Sequence, residues 1–256
     1  MVILVKEKLK RSIVILLTTL VVGALIFMAT IRSKGGKIKN VIVHIENQND
    51  NYFVNRADVL QLLSQNGQQE ILGANVESLN LKALENRLKN HKFVDRSQVS
   101  RDYQGNMHVY LTQRKPIARI IRSNGPGAYI DEAGNILPLS DAYTARVVLI
   151  SGAYAQKLWN ANLNEISEGK QLLELLRFIH QEPDWHAQIA ELEIDKAGSI
   201  TMYPQITKQK IQFGKPEGFK EKFEKLRILY KQILPAKGWN QYERVDLRHK
   251  DQIVCE

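Results

Sequence analysis

The sequence predicts an α+β protein of two modules behind a single N-terminal transmembrane helix, and three observations lead there. A stretch of twenty residues without a charge, 12–31, stands near the start of the chain. Beyond it, apolar residues alternate with period two in several short runs and recur at three- and four-residue spacing in others, the patterns of half-buried strands and of amphipathic helices. Gly, Pro and Asn punctuate these runs, with no internal repeat and no low-complexity segment.

The uncharged stretch reads SIVILLTTLVVGALIFMATI. At about 1.5 Å per residue it measures roughly 30 Å, the hydrocarbon thickness of a bilayer. A cleaved leader has a shorter apolar core, ~7–15 residues, closed by small residues of A-x-A type. Phe27-Met28-Ala29-Thr30-Ile31 offers no such site. The stretch is therefore expected to remain as an anchor, with 1–11 as a cytoplasmic tail and 32–39 as a short link. Lys6, Lys8, Lys10 and Arg11 precede it while Arg32, Lys34, Lys37 and Lys39 follow, so flanking charge does not orient it. An N-terminal tail of eleven residues favours N-in, with the bulk of the chain beyond the membrane.

The net charge of +9 invites a nucleic-acid partner, but its distribution argues against one. Residues 1–39 hold eight Lys/Arg against one Glu, so +7 brackets the anchor and the remaining 217 residues carry only +2. That leaves no broad cationic surface for phosphate backbones. It suits anionic lipid headgroups instead. The one cysteine, Cys255, excludes an internal disulfide, so the modules must be stable on packing alone.

The first module is expected over 40–115. Val41, Val43 and Ile45 alternate with Ile42, His44 and Glu46 as a strand. Asn55 caps a helix with Asp58 at its third position, Val59, Leu60, Leu62 and Leu63 supply its apolar stripe, and Gly67 ends it. Asn80 starts a second helix with Leu81, Leu84 and Leu88 on one face. Val94 and Val99 mark a strand, Gln104-Gly105-Asn106 turns the chain, and Met107, Val109 and Leu111 alternate in the next strand. The order is strand, helix, helix, strand, strand. Arg114-Lys115-Pro116 then follows without a flexible linker, so a stiff join is expected, with one strand running on into the next module.

The second module, 116–256, reads as a mostly antiparallel sheet with packed helices. Residues 117–122 are strand-like. Glu132-Ala133-Gly134-Asn135 closes a hairpin between 129–131 and 136–139, with Gly where positive φ is needed. Residues 147–150 form a buried strand, and Leu172, Leu173, Leu176 and Ile179 a helix face that stops before Pro183. Three strands follow, 189–195, 200–203 and 208–213. Phe219, Phe223, Leu226, Tyr230 and Ile233 mark a long helix ending before Pro235. A last strand from Glu243 to Arg248 continues toward Ile253-Val254, and no later segment is expected to cover its outer edge.

No catalytic constellation emerges. The histidines at 44, 91, 108, 180, 186 and 249 include no H-x-x-x-H pair and have no cysteine partner, so no metal site is expected. Glu191, Glu193 and Asp195 alternate with Leu192 and Ile194, the solvated face of a strand. Asp131-Glu132 at a hairpin tip is turn chemistry, and Trp159, Trp185 and Trp239 are core residues more often than anchors for partners. Nothing assembles nucleophile, base and oxyanion donors. The chain is therefore expected to be no enzyme, with no cofactor and no small-molecule substrate, and to hold other proteins. An exposed terminal strand, 245–254, offers unpaired main-chain groups for that purpose. Proline at Val245 should then weaken partner capture.

Several segments together resemble the FtsQ/DivIB cell-division family. They are NVIVHIEN with FVNRADVLQLL, then NLKALENRLKNHKFVDRSQVSRDYQGNMHVYLTQRKPIARI with an R-x-P-x-A pattern at Arg114, Pro116 and Ala118. YIDEAGNILPL carries a D-x-x-G pattern at Asp131 and Gly134, and VVLISG, ELEIDKAGSITMY and YERVDLRHKDQIV complete the series. The resemblance spans the chain and implies a POTRA module followed by the family's β domain. It implies a non-enzymatic divisome scaffold in the bacterial inner membrane at the septum, single-pass with its N-terminus cytoplasmic and its ectodomain periplasmic. Its partners would be FtsB/FtsL-type bitopic proteins, bound by strand addition at the C-terminal sheet edge. Carried onto this sequence, the partner surface involves Tyr242, Arg244, Asp246, Arg248 and His249, with Tyr230 beside it. Family members usually carry Tyr after the D-x-R of the last strand, where His249 stands here. The alternatives are a POTRA-type polypeptide-binding or transport component of the envelope, and a membrane-anchored cell-wall enzyme.

Overall fold

In the computed structural model the described residues are 2–33, 36–48, 51–122, 124–160, 162–166 and 169–256, with side chains of the first helix described at 13–28. Helix α1 (Val2–Ser33) is continuous. Its large apolar side chains from Ile13 to Met28 are all at least 50% exposed. Among the described residues no helix is long and apolar enough to cross a membrane. The side chains at both ends of the predicted span, 12 and 29–31, lie outside the described residues, and the sixteen described ones cover about 24 Å. Beyond α1 the chain divides into two compact units, one holding Val54–Gln113 with the strand before it, the other Arg114–Glu256 together with 51–53.

The first unit contains β1 (Asn40–Glu46), α2 (Arg56–Leu63), α3 (Leu81–Lys89), β2 (Val94–Arg101) and β3 (Asn106–Gln113), in the strand-helix-helix-strand-strand order read from the sequence. Its sheet runs β1-β3-β2, with β1 parallel and β2 antiparallel to β3. Local chemistry sets the helix starts. Asn55 accepts from the N–H groups of Ala57 and Asp58 while the Asp58 carboxylate accepts from Asn55 N, a closed capping box. Asn80 caps α3 by accepting from Ala83 N. Helix α2 stops at Leu63, four residues short of Gly67, because Gln65 and Asn66 already adopt positive φ. Val59, Leu63, Leu84 and Leu88 on the helices and Met107, Val109 and Leu111 on β3 are all buried. On the open face, cross-strand pairs pin the register: Asn40 to Asn106, His44 stacked on Tyr110 at 4.7 Å, and Thr112 to Glu46 at 2.8 Å.

The expected strand continuation between modules does not occur. Strand β3 ends at Gln113 and β4 (Pro116–Ile120) begins a separate sheet, because Pro116 has no N–H to extend the first ladder. The second sheet adds β5 (Ala128–Asp131), β6 (Ile136–Pro138), β7 (Val148–Ser151), β8 (Ile189–Ile194), β9 (Ile200–Pro204), β10 (Lys210–Gly214), β11 (Arg244–Asp246) and β12 (Val254–Cys255). Its order is β12-β11-β10-β9-β8-β7-β4-β5-β6. Five joins are antiparallel, and β4–β7, β7–β8 and β10–β11 are parallel. Helices α4 (Gly169–Gln181), α5 (Pro183–Gln188), α6 (Phe219–Ile228) and α7 (Leu234–Lys237) pack on it through Leu172, Leu176, Trp185, Phe223 and Leu226. Helix α4 stops at Gln181, before Pro183 as expected, and Pro183 opens α5, whereas the helix expected to end before Pro235 runs on, with Pro235 in the first turn of α7. Between α6 and α7 the chain takes one π-helical passage, Leu229–Ile233, as the ladder shifts to accommodate Pro235.

The hairpin β5–β6 explains why Arg114, Asp131 and Gly134 occur together. The Asp131 side chain is 4% exposed and pairs with Arg114 at 2.8 Å. It also accepts from the N–H groups of Ala133 and Asn135. Gly134 has φ +81°, and a Cβ there would lie 2.9 Å from Leu173 Cδ2. Asp131→Ala leaves a half-buried guanidinium and two turn N–H groups without their acceptor. Removing one partner of a buried pair costs about 3–5 kcal/mol; urea unfolding followed by tryptophan fluorescence should show a loss of that size.

His180 supplies a pH dependence. Half-buried on α4 and edge-on to His186 at 5.1 Å, it is pushed below the usual histidine value by burial first and His186 second. Lys115 adds to the lowering and Glu132 opposes it. The unfolded chain, titrating near ~6.5, therefore takes up this proton before the folded one does. Its contribution is constant above that pH, declines as pH falls through it, and levels off below the depressed folded value. Replacing His180 by Gln should flatten the stability profile between about pH 7 and 5, measured by denaturant midpoint.

Candidate partner-binding edge

A sheet offers new pairing only at its two edges. One edge of the large sheet is β6, three residues long, and its Pro138 lacks an N–H. The other is β12. The sequence reading expected one final strand with an uncovered outer edge, and here the structure corrects it. Strand β11 stops at Asp246, the chain reverses over 247–253, and β12 returns antiparallel to cover β11. Strand β11 is thus paired on both sides, with β10 and β12, and Val245 is fully buried.

The pairing register determines which groups face outward. Arg244 and Glu256 exchange both main-chain bonds, each 3.0 Å, and Glu243 N also donates to Glu256 O at 2.7 Å. Cys255, opposite Val245, is the non-hydrogen-bonded position between such pairs. Its N–H and C=O therefore point away from β11, along the outer edge. Among the described residues no strand pairs there. The Cys255 side chain packs toward the core, and burial pushes its thiol above the ordinary value, so it is a neutral packing group.

The residues proposed for a partner surface fall into three places. Asp246, Arg248 and His249 come together at the reversal. The Asp246 carboxylate, 6% exposed, accepts from Arg248 N at 3.0 Å and from the Arg248 guanidinium at 2.5 Å, with His249 Nε2 at 3.9 Å. That guanidinium holds Asp246 below the usual carboxylate range, burial opposing. Gly214, at φ +76°, makes room for Arg248: a Cβ there would sit 2.9 Å from Arg248 Cγ. Tyr242 and Arg244 lie instead along a groove of 830 Å³ shared with Lys208, Gln209, Lys210 and Glu256, and Arg244 pairs with Glu256 at 2.5 Å.

Tyr230 is apart from both. It is buried on the π-helical passage, stacked by Trp239 at 6.0 Å, and burial raises its hydroxyl to about 12. Trp239 is 49% exposed, unlike Trp185, which finishes the core at 2%. Three further residues had no sequence signal. Buried Gln209 fixes the Trp239 loop by donating to Trp239 O at 3.1 Å. Gly214 is told from an ordinary turn glycine only by its neighbour. Lys225 on α6 donates to carbonyls of the reversal.

Elsewhere the polar groups make structural contacts. Glu191 accepts from Ser151 Oγ, and Glu193 accepts from Tyr203 OH at 2.6 Å. Among the described residues no group of three or more His, Cys, Asp or Glu is arranged to hold a metal ion.

Comparison with known proteins agrees with this architecture. Residues 115–256 match the family model described as FtsQ/DivIB, C-terminal related, and residues 37–112 match the POTRA-like domain model. A relative named Cell division protein FtsQ, from Salinibacter ruber (strain DSM 13855 / M31), is 27% identical over 173 residues. That alignment covers 66% of this chain and 66% of the relative, so the chain spans just under two thirds of the relative's length.

The paired state of β11 changes what a proline at Val245 tests. Val245→Pro places a ring in the buried interior of the sheet and should unfold the second unit, reported by loss of cooperative thermal melting, rather than selectively weaken capture.

Proposed function

This chain belongs to the FtsQ/DivIB family, and on that premise we propose that it is a non-enzymatic scaffold of the bacterial division machinery. Helix α1 anchors it in the cytoplasmic membrane over 12–31, with 1–11 in the cytoplasm and the POTRA-like unit (40–115) and β domain (116–256) on the far side. It gathers FtsB/FtsL-type bitopic proteins, one of which adds a strand to β12.

The observation that carries the reading is the asymmetry of the sheet's ends: Pro138 blocks one, and Cys255 presents an outward N–H and C=O at the other. The exposed apolar face of α1 at 13–28 supports the anchor, since an uncovered surface of that size demands lipid or protein. In this reading Arg244, Arg248, His249 and Tyr242 flank the incoming strand, while buried Asp246 and Tyr230 hold the surface from beneath. Main-chain pairing supplies affinity, and these side chains supply selectivity.

Cys255→Pro tests it. The substitution removes the outward N–H at an edge position while leaving the β10–β11 pairing intact. A fluorescent fusion of the wild-type chain should gather at mid-cell, and depletion should give filaments. The Cys255→Pro chain should remain folded and membrane-bound, lose at least ten-fold in partner co-purification from detergent, and fail to relieve filamentation. Wild-type co-purification by a folded Cys255→Pro chain, or uniform membrane fluorescence through division, would defeat the reading.

A further inference from the structure

We propose that Lys225, on α6, is a positioning residue that sets the geometry of the edge strand β12 and so controls partner capture. The inference rests on the strand-addition reading above. Three other hairpins in the protein close themselves. At β2–β3 the Asp102 carboxylate accepts from Gln104 N and Asn106 N. At β5–β6 Asp131 accepts from Ala133 N and Asn135 N, and at β8–β9 Asp195 accepts from Ala197 N and Ser199 N. Each has glycine three residues after the aspartate, at φ +91°, +81° and +79° for Gly105, Gly134 and Gly198.

The β11–β12 reversal is built differently. Asp246 takes the aspartate position and accepts from Arg248 N, but the fourth residue is His249 and the reversal runs over 247–253. Its carbonyls converge on a group from outside the hairpin. Lys225 Nζ donates to Leu247 O at 3.3 Å, His249 O at 2.6 Å and Gln252 O at 3.4 Å. An ammonium has three donors and no planar constraint, which suits three convergent acceptors. A guanidinium presents its donors in a flat fork and does not. Strand β12 is only two residues long, so its own ladder bonds contribute little to its placement. The reversal must be held for Cys255 to present its edge, and Lys225 holds it from outside the hairpin while the Asp246 carboxylate holds it from within.

Lys225→Met keeps the aliphatic stem and removes the donors. In the full-length chain in detergent, hydrogen exchange of the Glu243, Arg244 and Glu256 amides should accelerate at least ten-fold, with residues 172–179 of α4 unchanged. A benzoylphenylalanine at Val254 should crosslink to the bitopic partner in cells at least five-fold less than with Lys225 present. Lys225→Arg should recover less than half of that yield. Unchanged exchange at the three amides overturns the inference. So does faster exchange with undiminished crosslinking, and Cys255→Pro then separates the two ideas. Lost capture in Cys255→Pro leaves strand addition standing and removes only Lys225's role, whereas retained capture removes both.

Discussion

Every reversal of the chain at the end of a sheet leaves main-chain N–H groups that no neighbouring strand can reach, and buried orphans of this kind cost on the order of 1–3 kcal/mol each. Aspartate followed three residues later by glycine meets that constraint at Asp102, Asp131 and Asp195. One carboxylate oxygen accepts from the residues two and four positions on, and glycine supplies the positive φ that brings the chain back. Asp131 does more than close its turn, because its second oxygen takes Arg114 and Asn135. The Asn135 amide then reaches Asn162, and Asn164 closes on Ala133 O. A turn motif has become the polar fastening between the β5–β6 hairpin and the loop leading to α4.

The same constraint, carried to the edges, explains why the two ends of the large sheet differ. An edge strand invites pairing unless something prevents it. Pro138 prevents it at β6. At the β2 edge of the first unit, Glu85 from α3 accepts from Val99 N at 2.9 Å, and that bond together with Lys82 holds its carboxylate below the usual range. Neither device stands at β12. Two strand residues offer few main-chain bonds, each worth about 0.5–1.5 kcal/mol net, too little for tight capture from dilute solution. In the proposed function both proteins are confined to one membrane, which would raise the effective concentration and relax that demand. The anchor and the short edge are thus parts of one reading.

Much of the fold was legible because period-two and period-3.6 patterns follow from burial on one face. The capping residues Asn55 and Asn80, the alternation through β1 and β3, and the Gly134 hairpin all express local rules. The extent of the last strand was not local. Leu247 and Val245 are fully buried, so the run reads as a continuing strand. Nothing in it announces a reversal without glycine, because the group that stabilises the reversal lies 22 residues before Leu247. The helical run expected to end before Pro235 continues to Lys237 for the opposite reason: proline ends one helix and begins another with the same geometry, and only the neighbouring packing decides.

The proposed partner residues were legible as a group and not by role, and the reason is burial. A sequence pattern marks Asp246, Arg248 and His249 as polar positions at the end of a strand. It cannot tell that the Asp246 side chain is 6% exposed while that of Arg248 is 52% exposed. That difference divides the motif into a carboxylate that shapes the turn and a guanidinium whose stem rests over Gly214 and whose outer face meets solvent. The edge is therefore framed by charged clamps, Asp246 within the hairpin and Lys225 from α6, in addition to the packing of Val245, Leu247, Ile253 and Cys255 on the core. Segments held in this way open more readily than core strands. Under the proposed function, an edge made so would adjust to an incoming strand while Phe213, Phe223 and Leu226 stay packed in the core.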